Sequence, residues 1–197
     1  SLPFSLGCVK IVKAGLGENV GDYNLLYQYA LLLIANIPLH DLYLIKLLTI
    51  IFDYALALAM MQTARRFADE RAALPMLCLV CALPTTLLDG ACWGQCDTIY
   101  VFCVVMSLYW LKTDKPIGSA VMLAIAFAFK LQTIFLFPVV LLALIHGEYK
   151  PRHALAFAAA YLATMIPALA AGRPFMDALS VYANQSMGQY YDRLTYN

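Results

Sequence analysis

Asp97, Lys130 and Gln132 are polar or ionisable residues set at the edges of long apolar stretches, and they are the first places to look for chemistry. The run Trp93-Gly94-Gln95-Cys96-Asp97 adds an indole and an amide beside that carboxylate. Lys130-Leu131-Gln132 supplies a cation and a second amide. Gathered at one surface, such groups would line a polar cavity with an aromatic wall. A snorkelling lysine among ordinary interfacial Trp and Tyr anchors would also account for them, and composition alone slightly favours that reading. Asp22 and Tyr23 follow Gly21 at the start of a Tyr-rich segment, where Asp22 could cap a helix or complement its dipole. The tail contributes Asn184, Gln185, Tyr190, Tyr191, Asp192 and Arg193. Lys46 and Asp53 lie two helical turns apart on one face, a spacing that suits a structural role between helices.

What positions these groups follows from composition. Of 197 residues, 63% are apolar and only 13% are charged. Soluble domains run nearer about 45–50% and about 25%. A mean hydropathy of +0.74 agrees. A soluble globular domain and a disordered chain are both excluded. A net charge of +1 gives no basic field for nucleic acid. The chain reads as an all-α, polytopic membrane protein.

A hydrocarbon core of about 30 Å asks for about 20 apolar residues per helix, fewer where neighbours shelter the ends. Leu42–Met61 meets this, and Leu74–Leu88, Thr98–Leu111 and His153–Ala171 are acceptable. Leu25–Ile37 is short and carries Gln28 and Asn36, so it reads as an interfacial helix lying on the membrane. The basic residues set the orientation. Arg65, Arg66 and Arg71, then Lys112 and Lys115, then Lys150 and Arg152 fall in three loops. All three loops are expected in the cytoplasm, which leaves the loop 89–97 outside. The segment Ile117–Ile145 must then cross twice, as two short helices turning near Phe129-Lys130-Leu131-Gln132 on the outer side. One long tilted helix is the alternative, at the cost of a basic loop outside. The tail 172–197 is external in the same scheme.

Six cysteines in so apolar a chain do not make a disulfide scaffold. Cys78 and Cys81 have CxxC spacing within an apolar run, and they read as small buried hydrophobes. Cys92 and Cys96 could pair if their loop faces an oxidising compartment. Asp89 and Asp97 could share a divalent cation, although no ligand spacing demands one and no cofactor is required. The ends look cut, so 1–197 is expected to be a single transmembrane domain, an internal portion of a longer protein.

Trp93-Gly94-Gln95-Cys96-Asp97-Thr98-Ile99-Tyr100 and Phe129-Lys130-Leu131-Gln132-Thr133-Ile134-Phe135 together resemble the GT-C membrane glycosyltransferases. Gly21-Asp22-Tyr23-Asn24, Asn184-Gln185 and Leu194-Thr195-Tyr196-Asn197 fit the same pattern. The nearest group is the prokaryotic proteins related to the mannosyltransferase that adds the second mannose to GPI anchors. The resemblance implies short and broken helices around a cavity that opens to lipid and to the external face. It implies an inverting transfer of a hexose, mannose or glucose, from a polyprenyl-phosphate carrier to a glycan, lipid or protein acceptor. A bacterial cytoplasmic membrane is the expected location. The first helix and the C-terminal helices of such a module are expected to lie beyond this chain. The class carries its catalytic carboxylate on the first external loop, so Asp22 is either the base or a second acidic residue downstream of it.

In that chemistry the carrier phosphate leaves readily, and no strong general acid is needed. Lys130 and Arg193 would hold the phosphate, and Gln132 would hydrogen-bond phosphate or sugar. Asp97 would either bind sugar hydroxyls with Gln95 or orient Lys130. Trp93 would stack on a sugar or anchor its loop, and Tyr23 would line the site. The rival class is a transporter or lipid flippase, which also uses broken helices and buried charges. Against it, the polar groups cluster at one surface and no inverted repeat is visible.

Overall fold

A computed structural model describes residues 24–86, 88 and 97–180. The described residues form helices and turns, with no strand among them. The helices are α1 (Leu25–Ala35), α2 (Asp41–Phe67), α3 (Ala73–Ala82), α4 (Asp97–Lys112), α5 (Pro116–Phe129), α6 (Phe137–Ile145), α7 (Pro151–Ala163), α8 (Ile166–Ala170) and α9 (Phe175–Leu179). A 3₁₀ turn, Leu131–Leu136, joins α5 to α6.

Proline sets many of these boundaries. It has no N–H to donate, and its ring clashes with the carbonyl four residues back. Pro116 and Pro151 open α5 and α7, where the missing N–H costs nothing. Pro84 forces Leu83 into extended geometry (φ −60°, ψ 128°) and ends α3 at Ala82. The expected helix Leu74–Leu88 is therefore cut short, with one helical turn, Pro84–Thr86, beyond the break. Pro167 likewise divides the expected His153–Ala171 into α7 and α8.

Two stretches, Asp41–Phe67 and Pro151–Ala170, are long and apolar enough to cross a bilayer, with mean hydropathies of 2.0 and 1.6. At 1.5 Å per residue the first reaches about 40 Å. It has two faces of helical period. Ile45, Thr49, Leu56 and Ala59 are buried, whereas Tyr43, Leu47, Ile51, Tyr54 and Leu58 are exposed. Leu141, Leu144, Ile145, Leu155, Leu162 and Ile166 are exposed as well. So much bare apolar surface suits hydrocarbon, not water. This is an all-α membrane protein.

Small residues let α4 and α5 approach closely, the usual device where no hydrophobic effect drives helices together. Ala120, Ala124 and Ala128, four apart, are at most 3% exposed. Ser107 and Ser119 each donate to the other's backbone carbonyl, at 2.8 and 2.7 Å. A Cβ on Gly118 would sit 2.8 Å from the Trp110 ring, so only glycine fits without movement. Ala124→Leu should overpack this seam and destabilise the fold by about 1–3 kcal/mol. A fall in melting temperature in detergent checks it; an unchanged melt would mean the seam is looser than described.

The segment Ile117–Ile145 is a hairpin, not one tilted helix. Lys130 is extended (φ −149°, ψ 131°) and ends α5. The chain then reverses, stacking Phe137 on Phe127 with ring centroids 5.8 Å apart. Farther down, Ala120 and Ala143 share a cluster with Leu111 and Tyr149. Lys112 is ion-paired with Glu148, and Phe67 meets Tyr109 edge-on. The loops carrying Arg65, Arg66, Lys112, Lys115, Lys150 and Arg152 thus gather at one end of the bundle.

α1 crosses the other end. Its 11 residues are too few to span a bilayer. Tyr27, Leu31 and Ile34 pack with Ile45 and Ile99, while Leu25 packs with Met165 and Ala168. The capping side chain is Asn24, whose Oδ1 accepts from the Leu25 N–H at 2.7 Å. Asp22, the expected cap, lies outside the described residues. The thiols of Cys78 and Cys81 are free; Cys78 is exposed and Cys81 only half-buried, so the expectation that both are buried fails.

Candidate active site

Helix ends at the face covered by α1 bring together two of the charged groups singled out from the sequence, Asp97 and Lys130. Asp97 is the first residue of α4, where a carboxylate complements the helix dipole. Lys130 caps the C-terminus of α5, where a cation does the same. Antiparallel register supplies the match. Asp97 stands about 15 Å along α4 from Ser107, and Lys130 about 16 Å along α5 from Ser119. The two serines are in contact, so the two charges meet. Neighbouring apolar groups hold them in place: Ile99 is fully buried, and Phe129 packs on the same cluster.

Lys130 Nζ donates to Asp97 Oδ1, and both side chains are largely enclosed, at 23% and 31% exposure. The ammonium also lies 5.5 Å from the centre of the Tyr100 ring, a cation–π distance. Tyr100 is one turn beyond Asp97, on the same face of α4. A cation fixed by a carboxylate and an aromatic face, shielded from bulk water, holds an anionic oxygen more strongly than a mobile surface lysine does. Thr133 follows on the 3₁₀ turn, its N–H donating to the Lys130 carbonyl at 3.2 Å. Its hydroxyl is buried and finds no hydrogen-bond partner among the described residues.

Gln132 is not drawn into the pair; its side chain is exposed on the turn. Asp22, Tyr23, Trp93, Gln95 and Arg193 lie outside the described residues, as do Asp89, Cys92 and Cys96. Lys46 and Asp53 are half-buried on α2. Among the described residues, no group of three or more His, Cys, Asp or Glu side chains is placed to hold a metal ion.

Sequence reasoning missed a buried cation at this same end. Arg173 is 3% exposed, and its Nη1 donates to Gln28 Oε1 at 3.4 Å. Gly172, at φ +90°, makes the left-handed turn that closes α8 and sends Arg173 inward. Tyr29 ties the two segments together, donating to the Thr164 carbonyl at 3.0 Å and accepting from the Ala168 N–H at 3.1 Å. Burial presses the guanidinium below its ordinary range, with Asp177 and Tyr29 acting in the opposite sense. The only local signal was a lone arginine between glycine and proline after a span.

The family model for glycosyltransferase family 87 matches residues 29–197, which include Asp97, Lys130, Gln132 and Arg173. No curated protein and no solved structure matches the chain. With most of its length matched and its helices bare to lipid, the chain belongs to glycosyltransferase family 87.

Proposed function

We propose that this protein moves a hexose from a polyprenyl-phosphate carrier to an acceptor hydroxyl at the external face, with inversion. The observation that carries the reading is the Lys130–Asp97 pair, set at a helix break at the end opposite the basic loops. Positive loops favour the cytoplasm, so the pair faces outward. Mannose is the first choice of sugar because of the resemblance to relatives of the GPI-anchor mannosyltransferase, with glucose the second.

The charge balance explains why a fixed cation matters. The bound donor is a phosphodiester carrying one negative charge. As the bond from anomeric carbon to phosphate oxygen breaks, both electrons leave with the phosphate, and its charge grows toward two. The acceptor oxygen bonds to the opposite face of the same carbon and gives its proton to a carboxylate, for which Asp22 is the choice. Lys130 thus interacts more strongly with the transition state than with the ground state, and that difference is catalysis. Asp97 positions Lys130 in this reading. Gln95, Trp93, Tyr23 and Gln132 serve the sugar, and Arg193 is a second phosphate ligand.

The test is release of sugar from synthetic polyprenyl-phosphate-mannose and polyprenyl-phosphate-glucose by the purified full-length protein, with membrane extract supplying the acceptor. Consumption of one donor, lost in Lys130→Ala protein of unchanged melting temperature, is the expected result. If neither donor is consumed and polyprenyl phosphate shows no binding that depends on Lys130, the reading is wrong.

A further inference from the structure

We infer that the basic end of the bundle holds an anionic phospholipid, its phosphate on Lys150, Arg152 and His153 and an acyl chain along α5, α6 and α7. Two cavities meet there. A polar cleft of about 340 Å³ is lined by Lys112, Asp114, Glu148, Lys150, Arg152 and His153. An apolar groove of about 190 Å³ runs past Leu123, Phe137, Val140, Leu144 and Phe157. Lys150 and His153 line both, so the cleft and the groove are immediate neighbours. A charged site beside an apolar groove matches an amphiphile better than a free ion.

Charge favours an anionic headgroup. The cleft presents three cations, Lys112, Lys150 and Arg152, against two carboxylates, Asp114 and Glu148. Lys112 is held by Glu148, whereas neither Lys150 nor Arg152 is ion-paired among the described residues. One positive charge is left over, the complement of one phosphodiester. The 13-residue helix α7 also starts here, with its positive dipole end toward the cleft.

His153 gives the sharper argument. It is 3% exposed, and its Nδ1 accepts from the Lys150 backbone N–H at 3.1 Å. A neutral imidazole carries one N–H, and the backbone donor cannot turn away, so the proton sits on Nε2. That N–H then confronts the Arg152 Nε–H across 3.3 Å, two donors with no acceptor between them. A phosphate oxygen accepting from both satisfies a buried group that the protein alone leaves mismatched.

The experiment is native mass spectrometry with a parallel thermal melt on the full-length protein in neutral detergent. It is titrated with phosphatidylglycerol, with phosphatidylcholine of the same chains, or with inorganic phosphate. Phosphatidylglycerol should bind at least about tenfold more tightly than phosphatidylcholine and raise the melting temperature. Lys150→Gln/Arg152→Gln should remove that preference while leaving the fold intact, because both side chains are exposed. Lys115→Gln, at the same end but outside the cleft, should leave it intact. Leu144→Trp should fill the groove from an exposed position and weaken the lipid without affecting the melt of the lipid-free protein. Equal binding of the two lipids would overturn the proposal. So would equal loss in Lys115→Gln, full stabilisation by inorganic phosphate alone, or a Leu144→Trp protein that binds as tightly as the parent.

Discussion

Replacing Lys130 with alanine is expected to lower kcat/KM for sugar transfer by about 10²–10³-fold, the usual range for loss of one preorganised electrostatic contact. Most of the loss should fall in kcat, because phosphate charge accumulates only as the donor bond breaks. Steady-state kinetics on the donor preferred by the parent protein would measure both constants. A rise in KM alone would show that Lys130 grips ground state and transition state equally. Asp97→Asn sharpens the test. If Asp97 acts through Lys130, the double variant should be no worse than Lys130→Ala alone. If Asp97 instead holds the sugar, the two losses should multiply, and its positioning role would be discarded. Tyr100 offers an internal comparison, since its ring contacts the same ammonium without carrying charge.

Arg173→Met should cause the largest loss of stability among the single changes considered at this end. It removes a charge-assisted hydrogen bond to buried Gln28, a contact of about 1.5–3 kcal/mol. It leaves Asp177 without the nearby cation that it acts on. Arg173→Lys should rescue little, because an ammonium lacks the planar fork and is more strongly hydrated. Thermal unfolding in detergent would show both variants well below the parent. A near-parental melt for Arg173→Met would mean that α1 is held by Tyr29 and the Leu25 cluster without help from the guanidinium.

The sequence made some of this plain and concealed the rest for identifiable reasons. The turn at Lys130 was legible because basic loops on both sides of Ile117–Ile145 call for an even number of crossings, and the segment's one charged residue lies in the middle. Asp97 and Lys130 were legible as a group through their common depth at two helix ends. Gln132, two residues along, shared that depth but not the pair, because the 3₁₀ turn leaves its side chain exposed. Pro84 and Pro167 were visible in the sequence, yet hydropathy alone ran the helices through them. Arg173 could not be read locally. Its burial depends on α1, well over a hundred residues earlier, lying across the bundle end.

The helices α2 to α7 alternate in direction, and this has a consequence for orientation. Asn24 and Ser180 lie at the same end of the bundle, so the helices between them make a closed excursion away from that end and back. Such an excursion is neutral in topology: placed within a longer polypeptide, it would not change which compartment any flanking helix faces. It also brings Asn24 and Ser180 to the end of the bundle where Lys130 and Asp97 meet. Reporter tags fused just before Asn24 and just after Ser180 would therefore report one compartment, and never two.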